Sequence, residues 1–583
     1  MKNLQDWVYN IEDGPMRVWM VRIALFLVVV GLSAWMGIRE FNGLRTFQAM
    51  DLAQQARQLA EGKGFTNLLI RTLDLWQVRA NLGNHAPPVT AFPESLSQPL
   101  YPLVLAGCFK VAMVARVISF ELSGEALKSF RLYPPDVVVL VLQLVLLVAT
   151  AFLVYSWAQR QFDVGTGILA VVFFFGSSPL WNQAVSGGEA LLNMFLYALA
   201  GWFFCQGCCR DEEGEETGMP SVPWFWYLGA GLALGATALV QLVQIWAVLV
   251  ALALAWVILR RGSWALTIGL LVGVGCFMCW LVRLWWVTRN PIGLNWGFLL
   301  ADSARFPGEA IWRTYTFDME KTDVWRRLGG AGLRGFADLI SQGPALVGNA
   351  VAGVLALIAG LHVFRRPSAA VGRNLWGGVA GVLILATSFV ERAPKPDGHT
   401  ILMGLLPVAC VYGAAYLWIV IERWKLHLEL LGRLFAILVG LVAVWPTAAR
   451  MLLPEPAPFA YPPTYPPIFL FMKSWFEPQE FQASDLPAAE AWYTEQPTLW
   501  LPTTREDFLK IHDRVSPIFS ILLTPASSDV RMYSQMLSEN SEWREWADLI
   551  RRQKPPSDLP QAFATSLPPN NEYLLLSVQK RWN

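Results

Sequence analysis

Within the run Phe47 to Phe65 (FQAMDLAQQARQLAEGKGF), counting from Asp51, Leu52, Ala56 and Leu59 fall on one helical face and Gln54, Gln55, Arg57 and Gln58 elsewhere. This spacing predicts a short amphipathic helix lying on a membrane surface, closed by Gly62 and Gly64. A carboxylate at the head of such a helix can cap it by accepting its free N–H groups, or it can stay available to take a proton. Position alone does not decide between the two. Glu189 raises the same question, because an acid at the outer end of an apolar span is costly unless it is used. Arg283 sits near the outer end of another span, and Arg392, Lys395 and His399 precede a third. As bare residues, the two arginines also suit interfacial anchors that reach headgroups, and His399 suits a loop position.

These side chains need elements to position them, and the composition says where those elements lie. The chain has 583 residues, of which 55% are hydrophobic and 15% charged. A soluble protein carries about 25% charged residues, so the balance points to a membrane. The net charge of +1 gives no reason to expect a nucleic acid partner. Nine stretches have the roughly 20 apolar residues a spanning helix needs: 19–37, 136–157, 165–180, 189–206, 263–285, 344–364, 374–390, 400–421 and 429–448. The run 224–259 is too long for one crossing, and Gln241 and Gln244 near its middle predict a turn between two. About eleven spans follow, and the fold class expected is mainly α, a polytopic helical membrane protein.

A twelfth apolar run, 99–118, contains Lys110 and Arg116, which make a full crossing expensive. If it lies along the outer face and the N-terminus is cytoplasmic, the short inner loops hold nine Arg or Lys and the short outer loops only Arg392 and Lys395. That bias is the usual one, and it would reverse if 99–118 crossed. The topology predicts a transmembrane domain over 1–450 with external loops 38–135 and 286–343, the first carrying surface-lying helices. A Pro-rich linker over 451–468 then leads to a small external α/β domain, 469–583. There, Thr498–Leu501, Phe519–Leu523 and Tyr573–Leu576 read as strands, and Asp529–Leu537 and Glu542–Arg552 as helices. The acidic run Arg210–Glu216 reads as a solvated inner connector.

Several passages, in order, resemble the GT-C superfamily of polytopic glycosyltransferases, the group that includes protein mannosyltransferases and aminoarabinose transferases. Asp51 ahead of Gly62-Lys63-Gly64-Phe65 resembles the acidic motif of the first external loop. Gln98-Pro99-Leu100-Tyr101-Pro102 resembles the following Pro-Pro element, Arg160–Leu196 the third and fourth spans with an acid at Glu189, and Cys279–Gly293 an Arg-Asn-Pro-Gly passage. The motif's second acid is replaced by Leu52, and Gln98 stands where a basic residue is usual. The resemblance implies transfer of a sugar from a polyprenyl-phosphate donor to an acceptor hydroxyl on the external (in a bacterium, periplasmic) face. The acceptor would be a glycan, a lipid or a protein.

On that resemblance Asp51 and Glu189 are the candidate catalytic carboxylates, and Arg283, Arg392, Lys395 and His399 the candidate donor-phosphate ligands. No cofactor is required by the residues, and a divalent metal is an option the resemblance leaves open. Cys205, Cys208 and Cys209 lack a second ligand pair and suit small apolar helix-end positions better than a zinc site. The histidines are too scattered to form a metal cluster. Readings from other classes are a transporter or flippase of a lipid-linked substrate and a non-catalytic membrane scaffold.

Overall fold

The computed structural model describes residues 15–120, 132–217, 224–259, 262–301, 306–316, 343–390, 400–424, 429–452, 466–524, 543–552, 555–567 and 573–582, with short pieces between 332 and 341 and residue 541. Arg392, Lys395, His399, most of the Pro-rich linker and the helix expected at Asp529–Leu537 lie outside the described residues.

The apolar segments fold as helices in the expected order. They are α1 (Pro15–Glu40), then, beyond a loop containing α2 (Phe47–Ala60), strand β1 (Leu69–Ile70), α3 (Thr72–Leu82) and α4 (Leu100–Val114), the long α5 (Pro134–Gln161). Next come α6 (Val164–Phe175), α7 (Ser178–Ser186), α8 (Ala190–Thr217), α9 (Trp224–Thr237), α10 (Ile245–Ile258) and α11 (Ser263–Thr288). The last are α12 (Ala350–Leu361), α13 (Pro367–Val390), α14 (Leu406–Arg423) and α15 (Glu429–Leu452). Among the described residues seven helices are long and apolar enough to cross a membrane. The pair α6 and α7, bent by 64°, makes an eighth. The bend has a local cause: Ser177 accepts the Leu180 N–H and Pro179 opens the new helix, so α7 starts afresh. With the shorter α9, α10 and α12, the apolar segments are those expected of an integral membrane protein of about eleven spans. Helix α8 runs on through the acidic stretch expected to be a connector, which is helical as far as Thr217.

The run 224–259 breaks at Gln241, as its two glutamines predict. Its two halves must run in opposite directions, because α9 and α11 are parallel. Gly231 faces the backbone of Leu266 and Leu270, Gly235 faces Gly273, and Gly262 meets Tyr227 at the same end. A Cβ at any of these glycines would collide with its neighbour, so two small-xxx-small pairs, Gly231/Gly235 and Gly269/Gly273, let the helices touch backbone to backbone.

Helix α4, at 15 residues, is too short to span. Its Tyr101, Leu105 and Phe109 are buried while Leu103, Val111 and Val114 are exposed, and Lys110 donates to the Ala60 carbonyl. This one-sided apolar exposure suits a helix lying along a bilayer surface.

The C-terminal chain forms α16 (Pro466–Met472), β2 (Phe481–Ser484), α17 (Pro487–Thr494), β3 (Thr498–Trp500), α18 (Arg505–Arg514), β4 (Ile518–Leu523), α19 (Ala547–Arg552), β5 (Phe563–Leu567) and β6 (Tyr573–Ser577). The strand order is β1-β3-β2-β4-β6-β5, with the first four parallel and β6 antiparallel to both β4 and β5. Phe481, Ala483, Leu499, Ile521 and Leu576 pack one face of this sheet into an apolar core shared with Ile70, Leu75 and Val78 of the first loop. At the top of α5, Asp136 accepts from the Trp492 indole (2.8 Å) and the Tyr493 hydroxyl (2.9 Å), fastening α17 to the membrane helices.

Candidate active site

Helix α2 begins before Asp51. Thr46 is its N-cap and accepts the Ala49 N–H at 3.1 Å, so the cap reading of Asp51 is replaced by a place one turn inside the helix. The helix is also not half-exposed: Ala49 through Gln58 are buried, between α4 on one side and α17 on the other. The polar face formed by Asp51, Gln54, Gln55 and Gln58 is therefore enclosed by protein.

Burial forces every one of these groups to find partners. Asp51 Oδ1 accepts from Gln55 Nε2 (3.0 Å) and Asn67 Nδ2 (2.6 Å), and its Oδ2 pairs with the Arg71 guanidinium. Glu94 Oε2 accepts from the same two amides, at 3.1 and 2.6 Å, and lies 3.7 Å from Arg71 through its other oxygen. That other oxygen, Oε1, accepts the Leu96 and Ser97 N–H groups. Asp51 and Glu94 thus share three donors. Burial holds the Asp51 carboxyl above its ordinary value, against the pull of Arg71, and the neighbouring Glu94 charge adds to the rise. A carboxylate so placed has a stronger affinity for a proton than a free one, which suits a general base.

Asp74 completes the group, accepting from the Ser95 hydroxyl at 2.7 Å. Burial lifts its carboxyl from 3.8 to about 7. A carboxyl raised in the folded state contributes stability that is fully present below its unfolded value and is lost as pH rises through about 7. The loss is on the order of 4 kcal/mol, since each tenfold gain in proton affinity corresponds to about 1.4 kcal/mol. Asp74→Asn keeps the acceptor for Ser95 and removes the titration. The drop in thermal midpoint between about pH 5.5 and about pH 8.5 is expected to be smaller in Asp74→Asn than in the parent. Identical pH slopes for the two proteins would refute this.

Two further expected site residues meet this loop. Glu189, just before α8, accepts from Gln48 at 3.1 Å, and Gln48 lies one helical turn before Asp51 on α2. Arg283 of α11 donates to the carbonyls of Glu94 (2.8 Å) and Phe65 (3.0 Å) and stacks over Trp280. Asp51, Glu189 and Arg283 are thereby brought to one neighbourhood without touching each other. Gln98 of the Pro-Pro element is buried, and its side-chain amide has no hydrogen-bond partner among the described residues; the same holds for Gln54.

Asn67, Arg71, Asp74 and Glu94 escaped the reading of the sequence. Their only signal there is charge or amide in a loop between apolar segments. Among the described residues no group of three or more His, Cys, Asp or Glu is spaced to hold a metal ion. The Asp51 oxygens face two amide donors and a guanidinium, so the residues as arranged do not fit a cation at this carboxylate.

No family model matches the sequence, and no curated protein matches it. Solved structures do. The oligosaccharyltransferase of Archaeoglobus fulgidus, solved with zinc and sulfate, matches at TM-score 0.53 and 9% identity over 90% of this chain and 71% of that one. The same organism's AglB, in complex with an inhibitory peptide and a dolichol-phosphate, matches at TM-score 0.53 and 10% identity, over 91% and 72%. ArnT from Cupriavidus metallidurans, bound to undecaprenyl phosphate, gives TM-score 0.49 and 13% identity over 96% and 98%. At these identities the likeness is one of fold: the chain shares the overall architecture of the archaeal oligosaccharyltransferase over most of its length.

Proposed function

We propose that this protein is a membrane glycosyltransferase that moves a sugar from a polyprenyl-phosphate donor to an acceptor hydroxyl, with Asp51 as the base. The observation that carries the reading is a buried carboxylate whose proton affinity is raised, seated in the first loop of a chain with the GT-C fold. As the acceptor hydroxyl attacks the anomeric carbon, the bond from that carbon to the lipid phosphate breaks, polyprenyl phosphate leaves, and Asp51 takes the hydroxyl proton. Glu189, which accepts from Gln48 one helical turn before Asp51, is the second candidate carboxylate. The unpaired amides of Gln54 and Gln98 beside this loop are suited to hydroxyl-rich ligands. The dolichol-phosphate bound by AglB supports a lipid-phosphate donor here. Arg392, Lys395 and His399 stay in the reading as donor-phosphate ligands, and the nine-to-two bias of loop cations supports a cytoplasmic N-terminus with both the Asp51 loop and the C-terminal sheet outside.

The test is direct. Purified protein is incubated with a panel of labelled polyprenyl-phosphate sugars together with glycan, lipid and peptide acceptors, and release of polyprenyl phosphate is followed. At least one donor should be turned over by the parent; no turnover with any of them would remove the reading.

Arg283 is part of the proposal and has its own test. Two of its N–H groups are committed to backbone carbonyls, so a phosphate would meet the remaining edge of the fork. Arg283→Ala should raise the donor KM or lower the rate by about tenfold or more, since a charge-assisted hydrogen bond contributes roughly 1.5–3 kcal/mol. Arg283→Lys should recover only part, because the planar fork is lost. Normal kinetics in Arg283→Ala would assign the residue to holding the loop alone.

A further inference from the structure

Strand β1 is two residues long, and two of the groups that grip Asp51 flank it. Asn67 lies two positions before it, with Leu68 between, and Arg71 follows it directly. The strand exists because β3 offers it an edge: Leu69 pairs with Thr498 and Ile70 with Leu499, and the Thr498 N–H donates to the Leu68 carbonyl at 2.8 Å. The Leu69 N–H in turn donates to Asn67 Oδ1 at 2.9 Å, which turns the Asn67 amide nitrogen toward Asp51 and Glu94. Just beyond Arg71, the Thr72 hydroxyl donates to the Trp500 carbonyl at 2.7 Å. Two of the three donors to the Asp51 carboxylate are therefore set by a strand that belongs to the C-terminal sheet.

We infer that the C-terminal domain is a positioning element of the active site, acting through β1. Strand β3 holds Asn67 and Arg71 where they orient the Asp51 carboxylate. The inference rests on the reading of Asp51 as base. The groups facing Asp51 in this arrangement are Arg71 and Glu94, with Asp74 and Arg283 next to Glu94. From α17, packed on α2, Tyr493 is committed to Asp136, Glu490 is buried within the domain, and Glu495 after it pairs with Arg57 and Lys473. From α4, Lys110 donates to Ala60, Tyr101 to the Gly187 carbonyl, and Cys108 is half-buried. Arg71 is the cation that β1 controls.

The test separates the domain's role from plain folding. Thr498 is the first residue of β3, a place where proline is tolerated, and its N–H serves β1 while β2 is served by other groups, such as the Pro497 carbonyl. Thr498→Pro in the full chain should free β1, and hydrogen exchange at residues 69–71 should rise. Turnover of whichever panel donor is active should fall roughly ten- to a hundredfold. The acid limb of kcat/KM should move up by about 1 pH unit or more, because Asp51 loses its cation. Thr498→Val, which keeps the N–H and loses only the hydroxyl, should behave as the parent. A Leu69→Cys, Thr498→Cys pair, oxidised, should stay active.

Unchanged exchange in Thr498→Pro, a rate loss with the acid limb unmoved, or an oxidised pair that regains activity only on reduction would each overturn the inference. Asp51→Asn distinguishes the two levels. If that variant stays active, the base assignment falls. If it is dead while Thr498→Pro titrates like the parent, only the positioning role falls.

Discussion

Asp51→Asn is expected to abolish transfer while the chain still folds. The variant is not silent structurally, because Asp51 is an interior hydrogen-bond hub rather than a helix cap. Its amide can still accept from Asn67 or Gln55 through Oδ1, but its NH2 group then faces Arg71, which retains Glu94 and Asp74 as counter-charges. One mismatched buried contact costs about 1–3 kcal/mol, which lowers the thermal midpoint and leaves a folded protein. The catalytic cost is of another size. A neutral amide cannot take the proton, and loss of a general base lowers the rate by about 10²–10⁴. The comparison to make is turnover per folded molecule, with size-exclusion behaviour and melting recorded on the same preparation. Activity within a few-fold of the parent would dismiss Asp51 as base and move the search to Glu189.

Arg71→Ala is expected to be the most damaging change to stability in this loop. Arg71 is buried and stands among Asp51, Glu94 and Asp74, so its removal leaves three enclosed carboxyls, with Arg283 still acting on Asp74 and Glu94. Breaking a buried ion pair from one side costs about 3–5 kcal/mol. The sign of the pH dependence follows. Without the cation the Asp51 and Asp74 carboxyls rise further, so they are neutralised at a higher pH than in the parent, and the deficit shrinks as pH falls. Melting in detergent should show a large loss near about pH 8 and a smaller one near about pH 5. Arg71→Lys should recover part of the loss, a point charge replacing a fork. A deficit equal at both pH values would mean that the side chain acts by packing rather than by charge.

The parts of this fold that were legible from the residues are those with local causes. Each apolar segment of about 20 residues becomes a helix because a backbone in lipid must satisfy its own hydrogen bonds, whatever lies next to it. The break at Gln241 and Gln244 and the short, one-sided helix α4 follow from polar residues that a crossing would bury at a cost. Strands β3, β4 and β6 were visible as apolar runs between turns, and they lie within a residue of their expected limits. The start of α2 is set by Thr46, a good cap by type, and not by Asp51, whose apolar spacing to Leu52, Ala56 and Leu59 marks the helix but not its first residue.

The sequence by itself determined that the chain is a membrane protein of about eleven apolar helices and drew attention to Asp51, because composition and periodicity act over a few turns at most. Tertiary structure alone decided what surrounds that carboxylate. Asn67, Arg71 and Glu94 lie 16, 20 and 43 positions beyond Asp51, counted along the chain. The edge that fixes β1 comes from Thr498 and Leu499, more than four hundred residues on. Two residues with no strand pattern of their own become a strand only when another strand offers its free N–H and C=O groups. The same enclosure removes water from Asp51 and so leaves its partners, and not its position in the sequence, to set its affinity for a proton.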